Sequence, residues 1–181
     1  GLSATYKITN WLSTDAIIAN GEGYKKLQQK DGLLYGMGIT INPIKTLTIR
    51  IYTSLNEGID DEINTRNLAL FAGYKGKWLS AGTELNYAKG LEHIPAHNMQ
   101  GESVYAIIKT CNINEIFVRY DNLSPMHTHT YSDEDETSIT IGTQFMIGNH
   151  IFIAPNFRII DFNDGNEPNK YMAYINCSFN L

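Results

Sequence analysis

The chain has 181 residues, a formal net charge of −5, 43% hydrophobic and 11% aromatic residues, enough for one substantial domain. The acidic balance gives no bulk argument for a nucleic-acid partner. Mean hydropathy is −0.25 and no run approaches the ~18 apolar residues of a membrane helix; helical spans are excluded, but strand-built barrels stay open because their strands bury only alternate residues.

Taken in order, the chain repeats one pattern. Leu2 to Ile8 sets Leu2, Ala4, Tyr6 and Ile8 against Ser3, Thr5 and Lys7, and a tight turn at 9–11 leads into Leu12 to Asn20. A polar segment, Gly21 to Asp31, carries Lys25, Lys26 and Lys30. Leu33 to Asn42 puts Leu33, Tyr35, Met37, Ile39 and Ile41 on one face; Pro43 punctuates a compact turn; Leu47 to Leu55 follows, and then an acidic loop with Glu57, Asp60, Asp61 and Glu62. Asn67 to Gly76 and Trp78 to Ala88 form the next pair. In the second, Leu79, Ala81, Thr83, Leu85 and Tyr87 oppose Ser80, Gly82, Glu84 and Asn86, a period of two that predicts a strand with one dry side.

The loop 89–100 holds His93, Pro95 and His97. Ser103 to Asn112 and Ile116 to Asn122 are joined by a short turn, and the longest polar loop, 123–136, contains His127 and His129 followed by clustered carboxylates. Thr137 to Ile147 and Ile151 to Ile160 meet at Gly148-Asn149, a hairpin signal. Lys170 to Leu181 alternates to its end. Cys111 falls on the polar side and Cys177 on the apolar side, so they are not expected to pair.

About eleven strands follow from this pattern. Short turns near 9–11, 42–46, 76–77, 112–115 and 148–149 alternate with long loops near 20–32, 56–66, 89–102, 122–136 and 162–169, as in an antiparallel up-and-down transmembrane β-barrel of a bacterial outer membrane. Trp11 and Trp78 both sit at short turns, where an interfacial girdle would place them. The first and last strands run in the same direction, whereas a closed bacterial barrel has an even strand number. The start at Gly1 carries no basic or apolar leader. Residues 1–181 therefore read as a single barrel region, the C-terminal portion of a longer chain.

The opening stretch GLSATYKITNWLSTDAIIANGEGY resembles a hairpin of bacterial outer-membrane porins, the phosphate-selective O and P group and its relatives, through LSATYKIT-W-LS-D and the NGEGY that opens the next loop. The resemblance implies passive diffusion of small anionic or polar solutes, no catalysis, contact with outer-membrane lipid, and a trimeric assembly. Leu181 departs from the terminal aromatic usual in such barrels, although Phe179 is in phase.

With the apolar face toward lipid, the other face is expected to line a pore with Lys7, Arg50, Lys75, Lys109, Arg119 and Arg158 against Asp15, Glu84 and Asp121. A basic lining lowers the cost of admitting an anion; the alternative is that the cations pair with the acids and merely hold the wall. Tyr52, Tyr105 and Tyr174 also point inward. His127 and His129 are weak metal-ligand candidates, and Pro95 separates His93 from His97. No cofactor motif appears. Two other functions stay open: a barrel with an adhesin or enzyme role at its rim, for which Glu57, Asp60, Asp61 and His129 are the only candidates, and a soluble all-β binding domain.

Overall fold

A computed structural model describes residues 1–21, 32–126, 134–148, 150–163 and 168–179. Eleven strands make one sheet in chain order, every neighbouring pair antiparallel: β1 (Leu2–Lys7), β2 (Leu12–Asn20), β3 (Leu33–Ile44), β4 (Leu47–Asn56), β5 (Thr65–Lys75), β6 (Leu79–Lys89), β7 (Met99–Cys111), β8 (Asn114–Pro125), β9 (Glu136–Ile147), β10 (Ile151–Phe162) and β11 (Lys170–Phe179). A short 3-10 turn spans Leu91–His93. β1 and β11 are the two edges of the sheet. No described helix is long and apolar enough to cross a membrane.

Register explains why the alternation matters. Along one row of the apolar face, Tyr6 faces Thr14, Thr14 faces Ile39, Ile39 faces Ile51, Ile51 faces Leu70 and Leu70 faces Leu85. Farther on, Ala106 faces Val118, Val118 faces Ile141, Ile141 faces Phe157 and Phe157 faces Ala173. A slip of one residue at any hairpin would send a whole apolar row to the polar side. The result is a band of apolar side chains left open to the surroundings, with Ile39, Ile51, Ile141 and Ile175 among them; toward the loop rim the row through Leu85 ends at Glu102 on β7. Very little is buried: Met99 and Ile160 are the only large apolar residues that count as core among the described residues.

Aromatic residues bound the band at both ends. Tyr6, Trp11, Tyr74, Trp78, Phe145 and Phe179 stand near the short-turn end, and Tyr35 and Tyr171 near the loop end; all are exposed. Phe157 and Tyr171 stack with centroids 6.4 Å apart.

The ladders run farther than the apolar alternation predicts. β8 starts at Asn114 rather than Ile116 and ends at Pro125, β7 starts at Met99 rather than Ser103, and β6 ends at Lys89 rather than Ala88, although it begins one residue later, at Leu79. Backbone pairing needs no apolar side chain, so strands persist into polar rims where the period-two signal has already stopped. The Asn149 half of the predicted hairpin signal, Lys25, Lys26 and Lys30, and Leu181 lie outside the described residues.

On the long-loop side, hydrogen bonds tie each connection to the next. Asn56 Nδ2 donates to the Gly21 carbonyl at 2.9 Å and approaches His93 Nε2 at 3.4 Å. His93 Nδ1 donates to the Ile63 carbonyl at 2.9 Å. Buried His97 places Nε2 3.1 Å from Glu134, and the Met126 N–H donates to the Asn98 carbonyl at 2.7 Å. The Asn163 N–H reaches the Asp135 carbonyl at 2.9 Å. Within the 90–98 connection Glu92, His93 and Ala96 adopt left-handed φ values of 54°, 63° and 66°, uncommon for residues with a Cβ.

The two-sided wall predicts a two-sided response to charge. Ile141→Lys should weaken folding into lipid vesicles by about 2–4 kcal/mol, whereas Thr140→Lys, one residue along on the polar face, should cost much less. Denaturant titration of folding into vesicles measures the difference; equal costs would contradict the assignment of faces.

Candidate functional site

The polar face carries the chemistry. Asp15 on β2 and Arg50 on β4 form a two-pronged ion pair, Nη1 to Oδ1 at 2.7 Å and Nη2 to Oδ2 at 2.9 Å, and Nη1 also donates to Thr40 Oγ1 at 2.8 Å. The two residues are on strands separated by β3. Both are about one-third exposed, at 28% and 33%. Such paired geometry is the strong form of a carboxylate–guanidinium contact. It exists because Gly38 lies beneath it: Gly38 faces Asp15 on one side and Tyr52 on the other, and a Cβ there would collide with Arg50 Nη2 and stand 2.8 Å from Asp15 Oδ1. Arg50 also lies 5.6 Å over the Tyr52 ring.

Arg119 and Asp121 pair along β8, two residues apart and therefore on one face. Arg119 Nε donates to both carboxylate oxygens at 2.8 Å, and Ser103 Oγ donates to Oδ1 at 2.7 Å. Glu84 accepts from Asn86 Nδ2 at 2.6 Å. Arg158 differs. It shares Thr140 as a cross-strand neighbour with Arg119 and donates from Nη2 to Ser138 Oγ at 3.1 Å, but makes no ion pair among the described residues, and its buried Nε has no hydrogen-bond partner. Lys7, Lys75 and Lys109 stand on the polar face, their ammonium groups without a hydrogen bond or ion pair to a described residue.

The structure thus places each residue expected to line a pore on the polar face, joins Asp15 to Arg50 and Asp121 to Arg119, and leaves Arg158 and the lysines without a carboxylate. Sequence reasoning missed two acids of this face. Glu115 faces Lys109 and Glu136 faces Leu123 and Phe162; the turn and loop assigned to them in sequence are strand. It also missed Gly38, whose role depends on a pair of residues 35 positions apart.

Tyr105, Phe71 and Phe117 are seated against the wall. A Cβ on Gly82 would stand 2.6 Å from Tyr105 Cζ, one on Gly73 2.6 Å from Phe71 Cζ, and one on Gly142 2.5 Å from Phe117 Cζ. The rings occupy the room that neighbouring side chains would take, as when aromatics cover glycines in designed sheets. Tyr52 lies over Gly36 in the same manner. Tyr174 differs, donating from its hydroxyl to Met172 Sδ at 2.8 Å.

Cavities among the described residues open on this face. One, of about 190 Å³, is lined by Glu84, Ser103, Arg119, Asp121 and Glu136 among others. Another, of about 680 Å³, sits at the short-turn end between β4 and β8 and is lined by Lys45, Lys75, Lys77 and Lys109, with Phe71 and Tyr105 in its wall. At the loop rim, Glu57 Oε2 accepts the Leu33 N–H at 3.2 Å, while Asp60 and Asp61 are exposed in a turn; no acid–base pair joins them among the described residues. His127 and His129 lie outside the described residues, and no described group of three His, Cys, Asp or Glu is arranged to hold a metal. Cys111 and Cys177 are free and exposed.

No protein-family model and no curated protein matches the chain. Among solved structures, a NanC porin in a rhombohedral crystal form superposes with a TM-score of 0.61 at 11% identity, covering 99% of this chain and 91% of that one. At this identity the likeness speaks for the fold, an all-β up-and-down antiparallel wall.

The bridge over Gly38 predicts a steric penalty. Gly38→Val should separate Asp15 from Arg50 and lower stability by about 1–3 kcal/mol, read as a shift in the unfolding midpoint in detergent micelles. Asp15→Asn, which keeps the shape, should cost less than Gly38→Val; the reverse order would contradict the bridge.

Proposed function

We propose that this chain forms the wall of a bacterial outer-membrane channel for passive diffusion of small solutes, with anions favoured, and that it is not an enzyme. The observation that carries this reading is the division of one sheet into an exposed apolar band, edged at both ends by tyrosine and other aromatics, and a charged, hydrogen-bonded polar face. A soluble sandwich would bury such a band against a second sheet; here it stays open over ten strand pairings. The porin-like fold of the wall supports the same reading.

Backbone groups in lipid must be paired within the protein, so a spanning sheet has to close. β1 and β11 run in the same direction, so antiparallel closure takes an odd number of further strands, and one is enough. We read residues 1–181 as a single barrel region of a longer chain on that ground.

The anion preference rests on which cations remain uncompensated. Asp15 cancels Arg50 and Asp121 cancels Arg119; of the other lining charges named above, Lys7, Lys75, Lys109 and Arg158 stand against Glu84, Glu115 and Glu136, an excess of one cation. An uncompensated cation along a narrow path lowers the barrier for anions and raises it for cations. In planar bilayers under a KCl gradient, chloride should carry more current than potassium. Arg158→Gln should move the reversal potential toward zero by more than the double change Asp15→Asn with Arg50→Gln, which removes no net charge. A potassium-selective wild type would contradict the anion preference, and absence of conductance would contradict the channel.

A further inference from the structure

We infer that the cavity at the short-turn end is a binding site for organic anions that carry a flat apolar body, such as aryl phosphates or aryl carboxylates. The inference rests on the channel reading, because it makes this cavity one mouth of the path. Its volume of about 680 Å³ falls within the range of small-molecule sites.

The chemistry of the lining is of two kinds. Lys75 and Lys109 project from the polar face of β5 and β7, and Lys45 and Lys77 come from the adjoining turns. None of the four ammonium groups makes a hydrogen bond or ion pair with a described residue; that of Lys77 instead lies 5.1 Å over the Trp78 ring. Glu115, the one carboxylate of the lining, is the cross-strand neighbour of Lys109 yet forms no ion pair with it. The mouth is therefore the most electropositive part of the polar face, whereas the arginines deeper along the wall are largely cancelled. Such a cluster holds an anionic head group by direct N–H to oxygen contacts.

The second kind is apolar. Phe71 and Tyr105 are held against Gly73 and Gly82, which fixes the rings beside the lysines at no cost in freedom when a ligand arrives. Offset stacking on such rings rewards a planar ligand body beyond its buried area. A small hydrated anion would use only the lysines. An anion with an aromatic body would use both halves.

Phenyl phosphate and inorganic phosphate separate the two. Added to the wild-type protein in planar bilayers, phenyl phosphate should block the current at a concentration about tenfold below that of phosphate. Tyr105→Ala with Phe71→Ala should abolish this preference while leaving the weak phosphate block, and Lys75→Gln with Lys109→Gln should weaken both. Isothermal titration of the detergent-solubilised protein with phenyl phosphate gives a second reading that does not need conduction. Equal block by both compounds, or phenyl phosphate binding unaltered by the lysine and aromatic changes, would overturn the inference while the channel stands. No conductance with intact, variant-sensitive binding would overturn the channel and leave the site.

Discussion

Everything in this molecule depends on a strict period of two held in register across eleven antiparallel strands. Backbone N–H and C=O groups inside the sheet are paired along the ladders apart from local breaks such as that at Pro155 on β10, and that permits side chains to be divided by chemistry alone. The sheet has almost no core. Large apolar side chains that a globular domain would bury remain open in one band, from Tyr6 and Ile39 through Ile51 and Val118 to Ile175. In water such a band would drive association; in lipid it is the surface the surroundings select.

The polar face obeys a second constraint, the need to pack long and aromatic side chains against a wall without filling the space beyond it. Glycines answer it. Gly38 lets Arg50 reach across β3 to Asp15, tying three strands together. Gly82, Gly73 and Gly142 let Tyr105, Phe71 and Phe117 lie down. Charge is then sorted along the wall: guanidiniums near its middle are mostly cancelled by Asp15 and Asp121, whereas the lysines at the short-turn end are not. At the opposite end the long connections are knit by Asn56, His93, His97 and Glu134, so the rim is held by side-chain contacts where the strand ladders end.

Much of this was legible in the sequence, and its limits have physical causes. The strands, the alternation of short turns with long loops, and the facing of Arg50, Arg119 and Arg158 follow from periodicity, because each position's face depends only on its neighbours in the chain. Partners across strands do not. Asp15 and Arg50 are 35 residues apart, and only the register of β2, β3 and β4 brings them together over a glycine. Glu115 and Glu136 were hidden because apolar alternation stops at the rim while backbone pairing continues. The same effect shortened β7 and β8 in the sequence reading. His97 and Glu134 meet through two loops whose conformations no periodicity encodes.

The central claim is that the two faces of the sheet meet different solvents. It is tested most directly by replacing residues 139–145 of β9 with cysteine one at a time, in a background with Cys111→Ser and Cys177→Ser, and reacting each variant in lipid vesicles with a water-soluble thiol reagent. Labelling with a period of two is expected, fast at Thr140 and Gln144 and slow at Ile139, Ile141, Thr143 and Phe145; at Gly142, covered by the Phe117 ring, the rate reports that ring rather than the face. Uniform labelling along the strand would contradict a wall with lipid on one side and water on the other.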